Sequence, residues 1–110
     1  MTMHIISQQS ELGRFQQGAA LVMYGGADCR VCVAVKPKLE AMLAAEFPCM
    51  EGVYLDCQGG AAAICAQQGL FSIPVVQVWF ESRKYAEFVR VFSVHEVRDA
   101  IAKPYQLAFE

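Results

Sequence analysis

Cys29 and Cys32 are the residues with the most chemistry in this chain, two thiols in the segment Tyr24-Gly25-Gly26-Ala27-Asp28-Cys29-Arg30-Val31-Cys32. They stand between a continuous apolar run, Ala20 to Tyr24, and a stretch of helical period from Val31 to Phe47. That context puts the first sulfur at a strand-to-helix turn, where unpaired backbone N–H groups and the helix dipole favour a thiolate over a thiol. A thiolate at CxxC spacing from a second thiol is a centre for disulfide exchange. Cys32, Val35, Leu39, Met42 and Leu43 fall on one helical stripe, so Cys32 is expected to face the core and Cys29 to face water. Cys29 is therefore read as the nucleophile and Cys32 as the resolving thiol. Two charges flank them: Asp28 should raise the pKa of Cys29 by repulsion, and Arg30 should lower it.

The elements that must hold this pair alternate between strand and helix. Met3 to Ile6 is a short apolar run. Ser10 to Gln17 has Leu12 and Phe15 at helical spacing and is followed by Gly18, a suitable cap. Ala20 to Tyr24 has the unbroken apolarity of a strand covered on both faces. The long helix after the CxxC contains Pro37, which removes a backbone donor and should bend it. Val53 to Leu55 is a third strand, and Ala61 to Gln68 a helix closed by Gly69. Ile73 to Phe80 is a strand with Pro74 at its start, because proline inside a ladder would cost a hydrogen bond. Phe88 to Phe92 is expected to pair back on it across a turn from Glu81 to Tyr85. Ser93 and Glu96 form a capping box for a last helix, buried through Val94, Val97 and Ile101 and ended by Pro104.

With 110 residues, 55% of them hydrophobic, the chain is sized for one core and is read as a single domain over residues 1–110. Nine basic and eleven acidic residues give a net charge of −2 without a basic stripe, which argues against nucleic acid as a partner. The start has no basic segment leading into a long apolar one, and no stretch approaches a membrane span; a cytoplasmic monomer without membrane contact is expected. The five cysteines are read as thiols, since an odd count in a reducing compartment does not suggest a disulfide scaffold.

The order βαβαβ followed by ββα, together with four features in register, resembles the thioredoxin family over His4 to Ala102. Those features are the CxxC, the helix proline Pro37, the strand ending in Asp56, and Ser72-Ile73-Pro74 ahead of the long apolar strand. The resemblance implies an α/β thioredoxin fold, a central mixed sheet of four to five strands flanked by helices. It also implies that the Ile73–Pro74 bond is cis and that Ile73 and Pro74 line a groove receiving a substrate polypeptide opposite the sulfurs. Where the family has a groove glycine this chain has Phe92, and where it has a buried acid this chain has Met23. The family's glycine in the last hairpin turn is absent from Glu81 to Lys84. The activity implied is reduction of protein disulfides without a separate cofactor, with electrons resupplied by a reductase or a small thiol. Glutaredoxin chemistry fits less well, because that family's glutathione-holding glycines and acid have no match in Val78 to Tyr85. A second possibility, from another functional class, is a binding module that uses the Pro74 groove and leaves its cysteines idle.

Other residues are given plainer roles. Cys49, Cys57 and Cys65 form no compact ligand motif, so no metal is expected; they are read as small buried hydrophobes, Cys65 most clearly. Cys57, just after a strand, could instead be a regulatory thiol, as in a peroxide or thiol sensor. His4 and His95 are read as surface residues and Trp79 as core. Gly25-Gly26 is read as a flexible approach to the site, and Arg83-Lys84 as part of a polar turn.

Overall fold

Strand β2 (Ala19–Gly25) shows how both faces of the sheet are covered. Leu21 and Met23 point into one apolar cluster, and Ala20, Val22 and Tyr24 into another. This is the period-2 alternation of a strand whose neighbours on both sides are helices, and it explains the unbroken apolar run. The computed structural model describes residues 2–110, which form a five-stranded mixed sheet in the order β1-β3-β2-β4-β5. Strands β1 (His4–Ile5) and β3 (Glu51–Asp56) lie parallel to one another, as do β3 and β2; β4 (Val75–Phe80) and β5 (Arg83–Val89) complete the sheet in antiparallel pairing. The expected mixed sheet is thus present, with its β2–β3 crossover through a helix.

Helices α2 (Arg30–Glu46) and α4 (Val94–Phe109) cover one face through Cys32, Leu39, Leu43, Val97 and Ile101. Helices α1 (Gln9–Gln17) and α3 (Ala62–Gln67) cover the other through Leu12, Ile64 and Cys65. The helix α2 stripe is as expected, with Val35 half-buried at its margin, and the helix continues through Pro37. No helix among the described residues is long and apolar enough to cross a membrane.

Three expectations are corrected. The last hairpin turns on only two residues, Glu81 (φ 52°) and Ser82 (φ 67°), both in the left-handed region that a tight hairpin needs and that glycine usually supplies. Their N–H groups are held by the carbonyls of Gly18 and Gln16 at 3.1 and 2.8 Å, which fixes the turn without glycine. Arg83 and Lys84 therefore belong to β5, and Phe92 lies beyond that strand. Helix α4 does not end at Pro104 but runs on to Phe109. Beyond the proline, Tyr105 is buried against Phe47, with ring centroids 4.9 Å apart, and its hydroxyl accepts the Cys49 N–H at 3.1 Å. Tertiary contact thus carries the helix across the missing hydrogen bond. Pro74 stands one residue ahead of β4 rather than within it.

The Ser93 half of the capping box at the start of α4 is present, the Glu96 N–H donating to Ser93 Oγ at 3.1 Å, while the Glu96 carboxylate meets the Ser93 hydroxyl rather than its N–H. His95 is exposed beside Asp99, and His4 lies at the surface, stacked on Phe15 and bonded to Glu51. Trp79 is only half-buried; its indole N–H donates to Gln77 Oε1 at 3.0 Å, and Gln77 in turn donates to Glu87.

Candidate active site

Cys29 is the N-cap of α2. Its backbone is extended (φ −98°, ψ 106°), and its Sγ accepts the Cys32 N–H at 3.2 Å. In this position the sulfur takes one of the orphan N–H groups of the first turn, the role usually filled by a Ser or Asp oxygen. A thiolate at Cys29 would receive that hydrogen bond and the helix dipole together, both favouring the charged form.

The Cα atoms of Cys29 and Cys32 are 5.2 Å apart, and the two residues are joined as a disulfide. Cys32 is 1% exposed, whereas Cys29 is partly open to solvent. The inequivalence expected from the helical stripe is therefore realised. Asp28 and Arg30 are both exposed on either side of Cys29, with the Asp28 N–H donating to Gln58 Oε1 at 2.8 Å.

The approach to the pair is packed rather than flexible. A Cβ built on Gly25 would lie 2.8 Å from Tyr54 Oη and 3.2 Å from Cys32 Cβ, and one on Gly26 would collide with the Gln58 carboxamide. Gly25 permits close approach to the buried cysteine, and Gly26 lies against the Gln58 side chain of the turn after β3. Tyr54 and Gln58 were not singled out from the sequence. Only the adjacency of two glycines to the CxxC hinted at tight neighbours.

Tyr54 pairs across the sheet with Met23, the position where a buried acid was noted as missing. Burial, reinforced by the Asp56 carboxylate, pushes the Tyr54 phenol above its ordinary pKa. Neither Met23 nor a protonated Tyr54 can take the Cys32 proton.

The Ile73–Pro74 peptide bond is cis, as expected. Continuing the β2–β4 register one step past Tyr24–Val75 sets Pro74 level with Gly25, and so beside the cysteine helix. Pro74 is buried and its carbonyl accepts the Arg90 N–H at 2.8 Å, while Ile73 lies half-buried on the cluster that includes Cys29 and Cys32. Phe92 packs on that cluster too, 5.8 Å from the Phe88 ring. It directly precedes the Ser93 cap, with Val97 in the same cluster. Phe92 thus occupies the position from which an apolar residue can staple the entry to α4. Exposed Phe71 and Val89 line a shallow pocket of about 300 Å³ next to this loop.

A βαβ unit leading into a hairpin and a helix, with a helix-capping CxxC and a cis proline ahead of β4, can be compared with known folds. The thioredoxin O2 of Arabidopsis thaliana in its oxidised state superposes with a TM-score of 0.78, covering 94% of this chain and 95% of that one at 17% identity. The chain has the thioredoxin fold. The thioredoxin of Trypanosoma brucei brucei matches with a TM-score of 0.79 over 96% of this chain and 92% of its own, at 10% identity. Thioredoxin 1 of Thermosipho africanus gives 0.72 over 83% of this chain and 99% of its own, at 21% identity. In sequence, the chain is similar to the curated Arabidopsis thaliana protein thioredoxin-like 3-2, chloroplastic, being 29% identical over 87 residues, or 76% of this chain. It spans 45% of that relative's length. No family model matches the chain.

The remaining cysteines depart from expectation. Cys65 is buried as foreseen, but it is joined to Cys57 in a second disulfide, with Cα atoms 5.6 Å apart. Cys49 is exposed rather than buried. Spacing alone could not reveal the second pair, because a turn and the start of a helix separate the two residues and the closeness is tertiary.

Proposed function

We propose that this protein is a thiol–disulfide oxidoreductase that reduces disulfides in other proteins, and the observation that carries this is the Cys29–Cys32 pair. One sulfur is open and capped by the helix, and the other is buried behind it. The Cys29 thiolate attacks one sulfur of the substrate disulfide; that S–S bond breaks, and a mixed disulfide forms. Cys32 loses its proton to water and attacks Cys29 Sγ, so that the Cys29–Cys32 bond forms and the substrate leaves as a dithiol carrying two electrons. A reductase or a small thiol returns the pair to the reduced state. A compartment that supplies thiol electrons, such as the cytoplasm, fits this cycle, and the chain is proposed to work as a monomer.

The Ile73–Pro74 segment supplies the docking edge. Neither the N–H nor the carbonyl of Ile73 is engaged among the described hydrogen bonds, leaving both free to pair with an extended substrate chain. The apolar pocket at Phe71 and Val89 would hold an adjacent side chain. A binding module with idle cysteines is not favoured, since the sulfurs are already arranged for exchange. The test is turnover of insulin disulfides by a dithiol, with and without the protein. Acceleration that vanishes in Cys29→Ser is expected; equal rates for both proteins would refute the activity.

A further inference from the structure

We propose that Cys57 and Cys65 form a second thiol–disulfide centre, which exchanges two electrons with small thiols of the glutathione class and, as a disulfide, fixes the turn clamping the Cys29 loop. The two cysteines are eight positions apart and form a disulfide of their own. Cys57 follows the last residue of β3 and is partly exposed, whereas Cys65 in α3 is 2% exposed, among Tyr24, Leu55 and Ile64. Like the first pair, it thus has one reachable sulfur and one buried sulfur.

Each backbone is held apart from the S–S bond. The Cys57 N–H donates to the Gly25 carbonyl at 2.8 Å, the Cys65 N–H to the Ala61 carbonyl at 3.1 Å, and the Cys65 carbonyl accepts the Leu70 N–H at 2.9 Å. Reduced thiols at these positions stay close enough to rejoin, which makes the pair reversible without unfolding. In the reducing direction a small thiolate attacks Cys57 Sγ, the Cys57–Cys65 bond breaks, and Cys65 leaves and takes up a proton. A second small thiol then attacks the mixed disulfide, releasing a small-molecule disulfide and the Cys57 thiol. Two small thiols are oxidised and one protein disulfide is reduced; oxidation of the pair by the small disulfide is the reverse.

The loop closed by this pair meets the CxxC loop directly. Besides the Cys57 N–H to Gly25, Gln58 Oε1 accepts the Asp28 N–H at 2.8 Å, and the Gln58 side chain lies directly over Gly26, in the space a Cβ there would take. Gln58 is itself oriented by its own N–H, which donates to Asp56 Oδ1 at 3.0 Å. Opening the second disulfide removes one constraint on the turn that carries Gln58 and so loosens its hold on the residue next to Cys29, while the backbone hydrogen bonds keep the two thiols within reach of one another.

The test uses the full chain with Cys29, Cys32 and Cys49 replaced by Ser, so that it stands or falls apart from the disulfide-reductase reading. The protein is equilibrated in graded mixtures of reduced and oxidised glutathione, quenched in acid, and its thiols counted by mass after labelling. Both thiols should appear together, reversibly from either direction, and glutathione should attach to Cys57 in a Cys65→Ala version but not to Cys65 in a Cys57→Ala version. Thiols that emerge only in denaturant, or that never pair, would overturn the centre. For the clamp, Cys29 alkylation is timed in Cys32→Ser/Cys49→Ser protein before and after adding Cys57→Ala/Cys65→Ala. Gln58→Ala repeats the comparison with the sulfurs untouched. A change of about fivefold, the effect of one lost hydrogen bond, is expected in both; an unchanged rate in Gln58→Ala would overturn the coupling.

Discussion

Reducing the Cys57–Cys65 bond should cost the fold a calculable amount. The sequence separation of eight closes a loop of roughly nine residues, and chain-entropy reasoning assigns such a cross-link about 2.5 kcal/mol through restriction of the unfolded chain. The Cys29–Cys32 loop, with a separation of three, is worth about 1.9 kcal/mol on the same basis. Domain stabilities of about 5–15 kcal/mol make the larger figure a substantial share of the whole. The clean perturbation is a reductant, since replacing Cys65 would also empty a buried site. Protein with Cys29, Cys32 and Cys49 changed to Ser is unfolded in urea with and without a phosphine, and ΔG is extrapolated for each state. A loss of about 2.5 kcal/mol, or about 10 °C in Tm for a chain of this size, is expected on reduction. The m-value should rise as well, because the uncrosslinked chain exposes more surface when unfolded. Coincident curves in the two states would refute the cross-link as a constraint on the unfolded chain.

Under mild oxidation with a substrate disulfide, Cys32→Ser should accumulate a mixed disulfide on Cys29 and Cys29→Ser should accumulate none; equal trapping on non-reducing gels would contradict the assignment of roles. Gly25→Ala should destabilise by about 1–3 kcal/mol in urea unfolding, as overpacking between Tyr54 and Cys32, and Tyr54→Ala should recover part of that loss. Ser93→Ala removes the cap of α4 and should cost about 1 kcal/mol by the same assay. Glu87 is held below the ordinary carboxylate range by hydrogen bonds from Gln77 and Lys84, against a smaller opposing effect of burial. A folded pKa below the unfolded one stabilises at neutral pH, and that stability is lost as acid protonates the folded group. Glu87→Gln should therefore flatten the fall in urea midpoint between about pH 6 and about pH 3.

Residues whose role is local could be read before any coordinates. The stripe from Cys32 to Leu43, the capping box at Ser93 and the covered strand at Ala20 to Tyr24 each follow from period and cap chemistry within a few positions. The errors fell where a distant contact overrode a local rule. Glu81 and Ser82 take left-handed backbone without glycine because carbonyls from the end of α1 and its cap bind their N–H groups. Pro104 fails to end α4 because Tyr105 is pinned from across the face by Phe47 and by the Cys49 backbone. Neither partner lies near enough in sequence for propensity to weigh it.

The same division separates the two cysteine pairs. Cys29 and Cys32 are brought together by one turn of helix, so their spacing announces them. Cys57 and Cys65 meet because β3 ends at Asp56, the chain reverses through Gln58-Gly59-Gly60, and α3 turns its buried face back toward the sheet. A Cβ on Gly59 would lie 2.6 Å from Asp56 Oδ2, so a side chain there would have to displace the carboxylate that holds the Gln58 N–H. That reversal also delivers Gln58 to Asp28. The turn that makes the second pair possible is thus the one that touches the first, and a sequence reading that treated Cys57 as an isolated thiol could not have found either contact.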